Sequence, residues 1–192
     1  MTVNKNGLTI KSKMSYEQIS QDLLKLTDVE VLVGFPEDTT DRPPSEDEPA
    51  GITNASLAYI HDQGAPESHI PARPFMIPGM KACQEKVADK LGQLLKAVVN
   101  GKGVNVIAQG FTQVGIIASL SIKDTINNGI DPPLAIATLQ ARARRGRKGA
   151  KEELKRREQG LPPSTAFAKP LVDTGELRNA VSYAIRSRKK RK

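Results

Sequence analysis

Behind Ser15 and Gln18, which form a capping-box pair, Ile19, Leu23 and Leu26 recur at helical spacing and predict a helix in MSYEQISQDLLKL. The period then drops to two. Val29, Val31 and Val33 alternate with Glu30 and Leu32 ahead of Gly34 and Pro36, which predicts a strand. NASLAYIHDQ reads as a short helix capped by Asn54 and closed by Gly64, with Leu57, Ala58 and Ile60 facing inward. Two long helices follow. The first covers about 79–99, with Met80, Val87, Leu91, Leu94, Leu95 and Val98 on its apolar face. After the break NGKG, the second covers about 104–127, with Val104, Ile107, Phe111, Val114, Ala118 and Ile122 as its stripe. Pro133 sits well at the start of a short helix carrying Leu134, Ala135, Thr138 and Leu139. Near the end, Val181, Tyr183 and Ile185 alternate with polar or small residues, a strand able to pair with 29–35.

The segments between these elements have a different character. Residues 36–50 are acidic and proline-rich and predict a mobile loop. Prolines at 66, 71, 74 and 78 fix φ and restrict their predecessors, so this stretch reads as a stiff extended strap. Basic residues displace apolar anchors over 142–165, which predicts a long, poorly packed excursion; residues 187–192 read as a disordered basic tail. The expected fold is α+β, a single domain over 1–192 with a small antiparallel sheet packed with two long helices.

Composition narrows this further. Hydrophobic residues make up 38%, aromatics 4%, and there is no Trp, so the core must be modest and some segments should order against neighbours. One cysteine, Cys83, excludes an internal disulfide framework and a Cys-based zinc site. No basic region followed by an apolar run opens the chain, and no stretch reads as the roughly 20 apolar residues of a membrane span, so assembly in the cytoplasm is expected. The net charge of +8 is unevenly placed, at −4 over 1–100 and +12 over 101–192. That polarity suits head-to-tail contacts between subunits, or one end facing nucleic acid.

Candidate chemistry centres on PLVDTGELRNAV. Asp173-Thr174-Gly175 after two apolar residues resembles the catalytic loop of retroviral-type aspartic proteases. Glu176 follows where those enzymes carry Ala or Ser, only 17 residues remain, and the many short strands of their barrel are missing from the pattern. The alternative is a helix start with Asp173 or Thr174 as cap, worth about 1 kcal/mol, and this reading is preferred. His61 and His69 lack a third ligand at suitable spacing, and no Gly-Lys-Ser/Thr loop is present. The sequence therefore points to no catalytic residue, no metal and no cofactor.

Three segments in order carry a family resemblance. ASLAYIHDQGAPESHIPARPFMIPGM, NNGIDPPLAIATLQAR and KPLVDTGELRNAVSYAI together resemble the tail-completion (neck) proteins of tailed bacteriophages, across residues 29 to 185. The acidic 36–50 loop and Ala180, where Ser is common, depart from that pattern. The resemblance implies a non-enzymatic virion protein at the head–tail junction, assembled in the host cytoplasm. It would act as a ring, six copies being preferred to twelve, that meets the head connector and the tail terminator or tail-tube proteins. Assembly residues would be Ile70, Pro71, Arg73, Pro74 and Phe75 of the strap and Arg142, Arg144, Arg145 and Arg147 of the first basic tract. Asp173, Thr174, Gly175 and Leu177 form the closing structural motif. Arg186, Arg188, Lys189, Lys190, Arg191 and Lys192 could touch packaged DNA through phosphates, without sequence preference. Arg73 is expected to hold a fixed ion pair or carbonyl contacts, and Phe75 to be buried. The main alternative is a non-specific nucleic-acid-binding protein, ribosome- or DNA-associated.

Overall fold

The computed structural model describes residues 15–36, 52–102 and 105–188. Its elements run α1 (Tyr16–Thr27), β1 (Val29–Gly34), α2 (Asn54–Gln63), a 3-10 turn (Pro66–Ser68), α3 (Met76–Val99), α4 (Asn105–Asn128), α5 (Ile136–Arg144), α6 (Lys148–Glu158), α7 (Glu176–Ala180) and β2 (Ser182–Ser187). The fold is α+β: mostly helical, with β1 and β2 pairing in a two-stranded antiparallel sheet. The chain divides into two compact units. One is Met1–Val33, Cys83–Ser119 and Tyr183–Lys192; the other is Gly34–Ala82 and Leu120–Ser182. Neither unit is continuous in sequence, because β1 finds its partner at the far end of the chain.

In the first unit, Ser15 Oγ accepts the Gln18 N–H at 3.3 Å and starts α1 as the capping pattern predicts. The core joins Leu94 and Val98 of α3 to Ile107 and Phe111 of α4, with Leu23, Leu26, Val29 and Val31 packed on it. The expected α3 face is wider than the buried one. Cys83, Leu94 and Val98 are buried, whereas Met80, Leu91 and Leu95 are 41%, 39% and 48% exposed. A six-residue apolar set spreads around the helix, and α1, α4 and a strand cover only part of it. Val104 lies outside the described residues. By length and composition, Val106–Asn128 is the one helix among the described residues able to cross a membrane, which the sequence reading did not find. Its stripe, Ile107, Phe111, Val114, Ala118, Ile122 and Ile126, is buried.

The second unit holds the three motif segments. Thr53, not Asn54, caps α2, its Oγ1 accepting from Ser56 N–H at 3.1 Å. The strap is shorter than expected. Ala65 and Ile70 pair in an isolated antiparallel bridge around the 3-10 turn, and α3 begins at Met76 with Pro78 in its first turn, where a missing N–H costs nothing. Gly79 lets α3 approach α4 closely, since a Cβ there would sit 2.8 Å from Ile122 Cα. The larger correction concerns 142–165. Helix α5 runs on to Arg144, α6 fills Lys148–Glu158, and Leu134, Leu139, Ala150 and Ala168 form a core with Ala143 and Leu154 against it. Leu139, Ala150 and Ala168 are few anchors, but small ones suffice when two short helices pack closely. The predicted 36–50 loop falls almost wholly on residues outside the described set.

Candidate functional site

Arg73 of the strap is 6% exposed. Its Nε and Nη2 donate to Pro132 O at 2.9 and 2.8 Å, and Nη2 reaches Pro133 O at 3.4 Å. The expected carbonyl contact is therefore present, and it ties the first motif segment to the second. Phe75 is fully buried and meets the Phe35 ring edge-on at 6.4 Å. Buried Asp62, near the end of α2, accepts the N–H groups of Phe75 and Met76 at 2.8 and 3.0 Å through Oδ1. A carboxylate supplied from another helix thus satisfies donors at the entry to α3. Ile70 is half-buried, while Pro71 and Pro74 are exposed.

Arg142 performs the second stitch. Only 9% exposed, it donates through Nη1 to Lys169 O at 2.9 Å and Val172 O at 3.1 Å, joining the second motif segment to the third. Burial draws its guanidinium below the ordinary value, Asp173 raises it, and Arg145, Arg147 and Arg73 lower it again. Burial alone lowers Arg73.

Asp173 is not a helix cap. Gly175, at φ 87°, occupies the cap position of α7, and Thr174 Oγ1 accepts from Glu176 N–H at 3.3 Å. The Asp173 carboxylate instead takes Arg145 Nη2 at 2.7 Å and Arg147 Nε at 2.9 Å, with Arg142 Nε at 3.8 Å. The cap expectation failed because three guanidiniums, brought round by the turn after α5, outcompete a five-residue helix for the carboxylate. Three of the four arginines expected to serve assembly thus meet Asp173 of the same chain, and Arg144 alone of that set is exposed without a polar partner among the described residues.

A second polar knot lies on α6. Glu153 is fully buried, accepting Arg157 Nε at 2.9 Å and Ser164 N–H at 2.8 Å, with Arg156 Nε 3.6 Å away. Burial pushes its carboxylate up. The Ser164 N–H, the Arg157 hydrogen bond and the charges of Arg157 and Arg156 outweigh that and hold it below the usual carboxylate range. Arg156 also lies over the Phe167 ring at 5.3 Å. Sequence reasoning missed Glu153, although its i,i+4 spacing to Arg157 was a usable signal; nothing in the sequence marked Asp62.

The stitched segments enclose an open cleft of about 1030 Å³. Ile70 and Arg73, Leu134, Ala137, Ala141 and Arg142, and Asp173 to Gly175 and Leu177 line it, so residues of all three motif segments share one wall system. Among the described residues, no group of three or more His, Cys, Asp or Glu converges as a metal site would. None of the basic C-terminal residues is among those that line the cleft. Arg186 Nε pairs with Glu30, Arg188 is exposed with its N–H on Asp28 O at 2.6 Å, and Lys189, Lys190, Arg191 and Lys192 lie outside the described residues. Compared with protein-family models, with curated proteins and with solved structures, the chain matches none.

Proposed function

We propose that this chain is a non-enzymatic structural subunit of a bacteriophage neck, a ring-forming adaptor that completes the tail or joins it to the DNA-filled head. The observation that carries the reading is the convergence of the three resemblance segments on one cleft. Arg73 reaches from the first to the carbonyls of the second, and Arg142 from the second to those of the third. Residues matched in a family pattern are here the joints of an architecture. Asp173 supports the same view, since an aspartic-protease carboxylate shares its proton with a second carboxylate, whereas the partners of Asp173 are arginines. The test is the mass of the purified chain, alone and mixed with tails that lack it. A ring of six or twelve copies that seats on those tails supports the reading. A monomer that binds neither heads nor tails, or a peptidase activity lost in Asp173→Asn with the fold intact, refutes it.

One observation favours the nucleic-acid reading. Lys148, Lys151 and Lys155 are exposed at i, i+3 and i+7 on α6. They span about 10 Å of helix axis, the length of roughly three phosphates along one DNA strand. Binding to unrelated duplexes whose affinity falls steeply with salt, by a chain that stays monomeric, would place this reading first.

A further inference from the structure

The cleft carries more positive charge than its own structure neutralises. Arg73, Arg142 and Arg145 line it, and Asp173 is the one acidic side chain among the lining residues. Arg73 is held by carbonyl oxygens alone, which satisfy hydrogen bonds but leave the charge. The hydrogen bonds of Arg73 run through Nε and Nη2 and those of Arg142 through Nη1, all to backbone carbonyls, which bring no negative charge. Burial is the main cause that lowers Arg142, Asp173 opposes it, and the charges of Arg145, Arg147 and Arg73 add to it, in keeping with the three arginines and one carboxylate of the lining. Apolar Ile70, Leu134, Ala137 and Leu177 complete the walls. Such a cleft fits an extended peptide that alternates carboxylates with small or apolar residues.

The same chain carries a segment of that chemistry. Residues 37–51 hold six carboxylates, Glu37, Asp38, Asp41, Glu46, Asp47 and Glu48, against the single cation Arg42. Pro43, Pro44, Pro49 and Ala50 supply short apolar surface, and prolines reduce the ordering cost of binding. Fifteen residues have a contour of at most roughly 50 Å. We propose that the arginine cleft of one copy receives the acidic 37–51 segment of a second copy. Because donor segment and acceptor cleft are different surfaces of one chain, the contact is head-to-tail and repeats from copy to copy. The inference goes beyond the neck reading and stands without it, since it needs only the purified chain.

The experiment is complementation between two full-length variants, read by sedimentation equilibrium at low and high salt. The loop variant carries Glu46→Gln, Asp47→Asn and Glu48→Gln. The cleft variant carries Ala137→Asp and Thr138→Asp, both on exposed positions of α5 outside the arginine stitches. The parent should self-associate, less so as salt rises. Each variant alone should associate at least about tenfold more weakly, the effect of removing or opposing charge across an interface. An equimolar mixture should recover pairs, because the intact segment of the cleft variant meets the intact cleft of the loop variant. Circular dichroism must match the parent, and Thr138→Asp alone replaces the double variant if it does not. A monomeric parent, a mixture no larger than its components, or variants that associate like the parent would each overturn the proposal. So would an unchanged mass accompanied by altered amide exchange at the cleft, since that result places the segment in its own cleft. Failure to seat on tails, with complementation intact, would reject the neck reading and leave this one standing.

Discussion

Replacing Glu153 by Gln isolates one charge at the most deeply buried polar side chain described, at constant volume. The glutamine oxygen can still accept the Ser164 N–H, so the backbone contact survives. That same oxygen keeps the Arg157 Nε hydrogen bond, while the amide nitrogen in the place of Oε2 faces Arg156 Nε, donor against donor, and the negative charge that paired with both arginines at 2.9 and 3.6 Å is gone. Breaking one side of a buried pair costs about 3–5 kcal/mol. The Arg157 and Arg156 side chains are 13% and 28% exposed and can rehydrate in part, so the low end, about 3 kcal/mol at neutral pH, is expected. The pH dependence fixes the cause. Glu153 is held below its ordinary 4.5 in the folded chain, so its stabilisation is complete above that value and is lost as pH falls through the lower folded value. A protonated Glu153 resembles the glutamine, and the parent–variant gap should close in acid. Urea unfolding followed by far-ultraviolet circular dichroism measures this, since the chain has no Trp. A gap under about 1 kcal/mol at neutral pH, or one of equal size in acid, would refute the reasoning.

Phe75→Ala empties a fully buried site against Phe35 and should cost about 3–5 kcal/mol, read as a lower urea midpoint; an unchanged midpoint would show that the site collapses without loss. Gly149→Ala would place a Cβ 2.0 Å from Phe167 O, a backbone atom that cannot rotate away. The variant should therefore lose about 1–3 kcal/mol by overpacking, despite alanine's better helix propensity. Asp173→Asn removes the negative charge facing Arg145 and Arg147, which are 43% and 46% exposed, and leaves one of the two acceptor oxygens they use. Screening limits that loss to about 1 kcal/mol, and the loss should shrink further in high salt.

Periodicity alone determined a large part of this protein. The Ser15 cap, both strands, the two long helices and the short one after Pro133 all follow from local rules of spacing, capping and β-branching. Burial of Phe75 and the carbonyl contacts of Arg73 were also legible, because a stiff proline frame leaves its large side chains few places to go. Other features depend on residues far apart in sequence, and no local pattern encodes them. The basic run 142–165 reads as unanchored until Ala150 and Ala168 meet Leu139 in space, where alanines too small to signal a core complete one. Asp173 reads as a cap until the turn after α5 delivers Arg145 and Arg147 to it. Sequence specified the elements that carry a strong apolar period, since that is settled within a few turns of chain. Only the tertiary fold decided which charges meet, because an arginine's partner depends on where the whole backbone brings it.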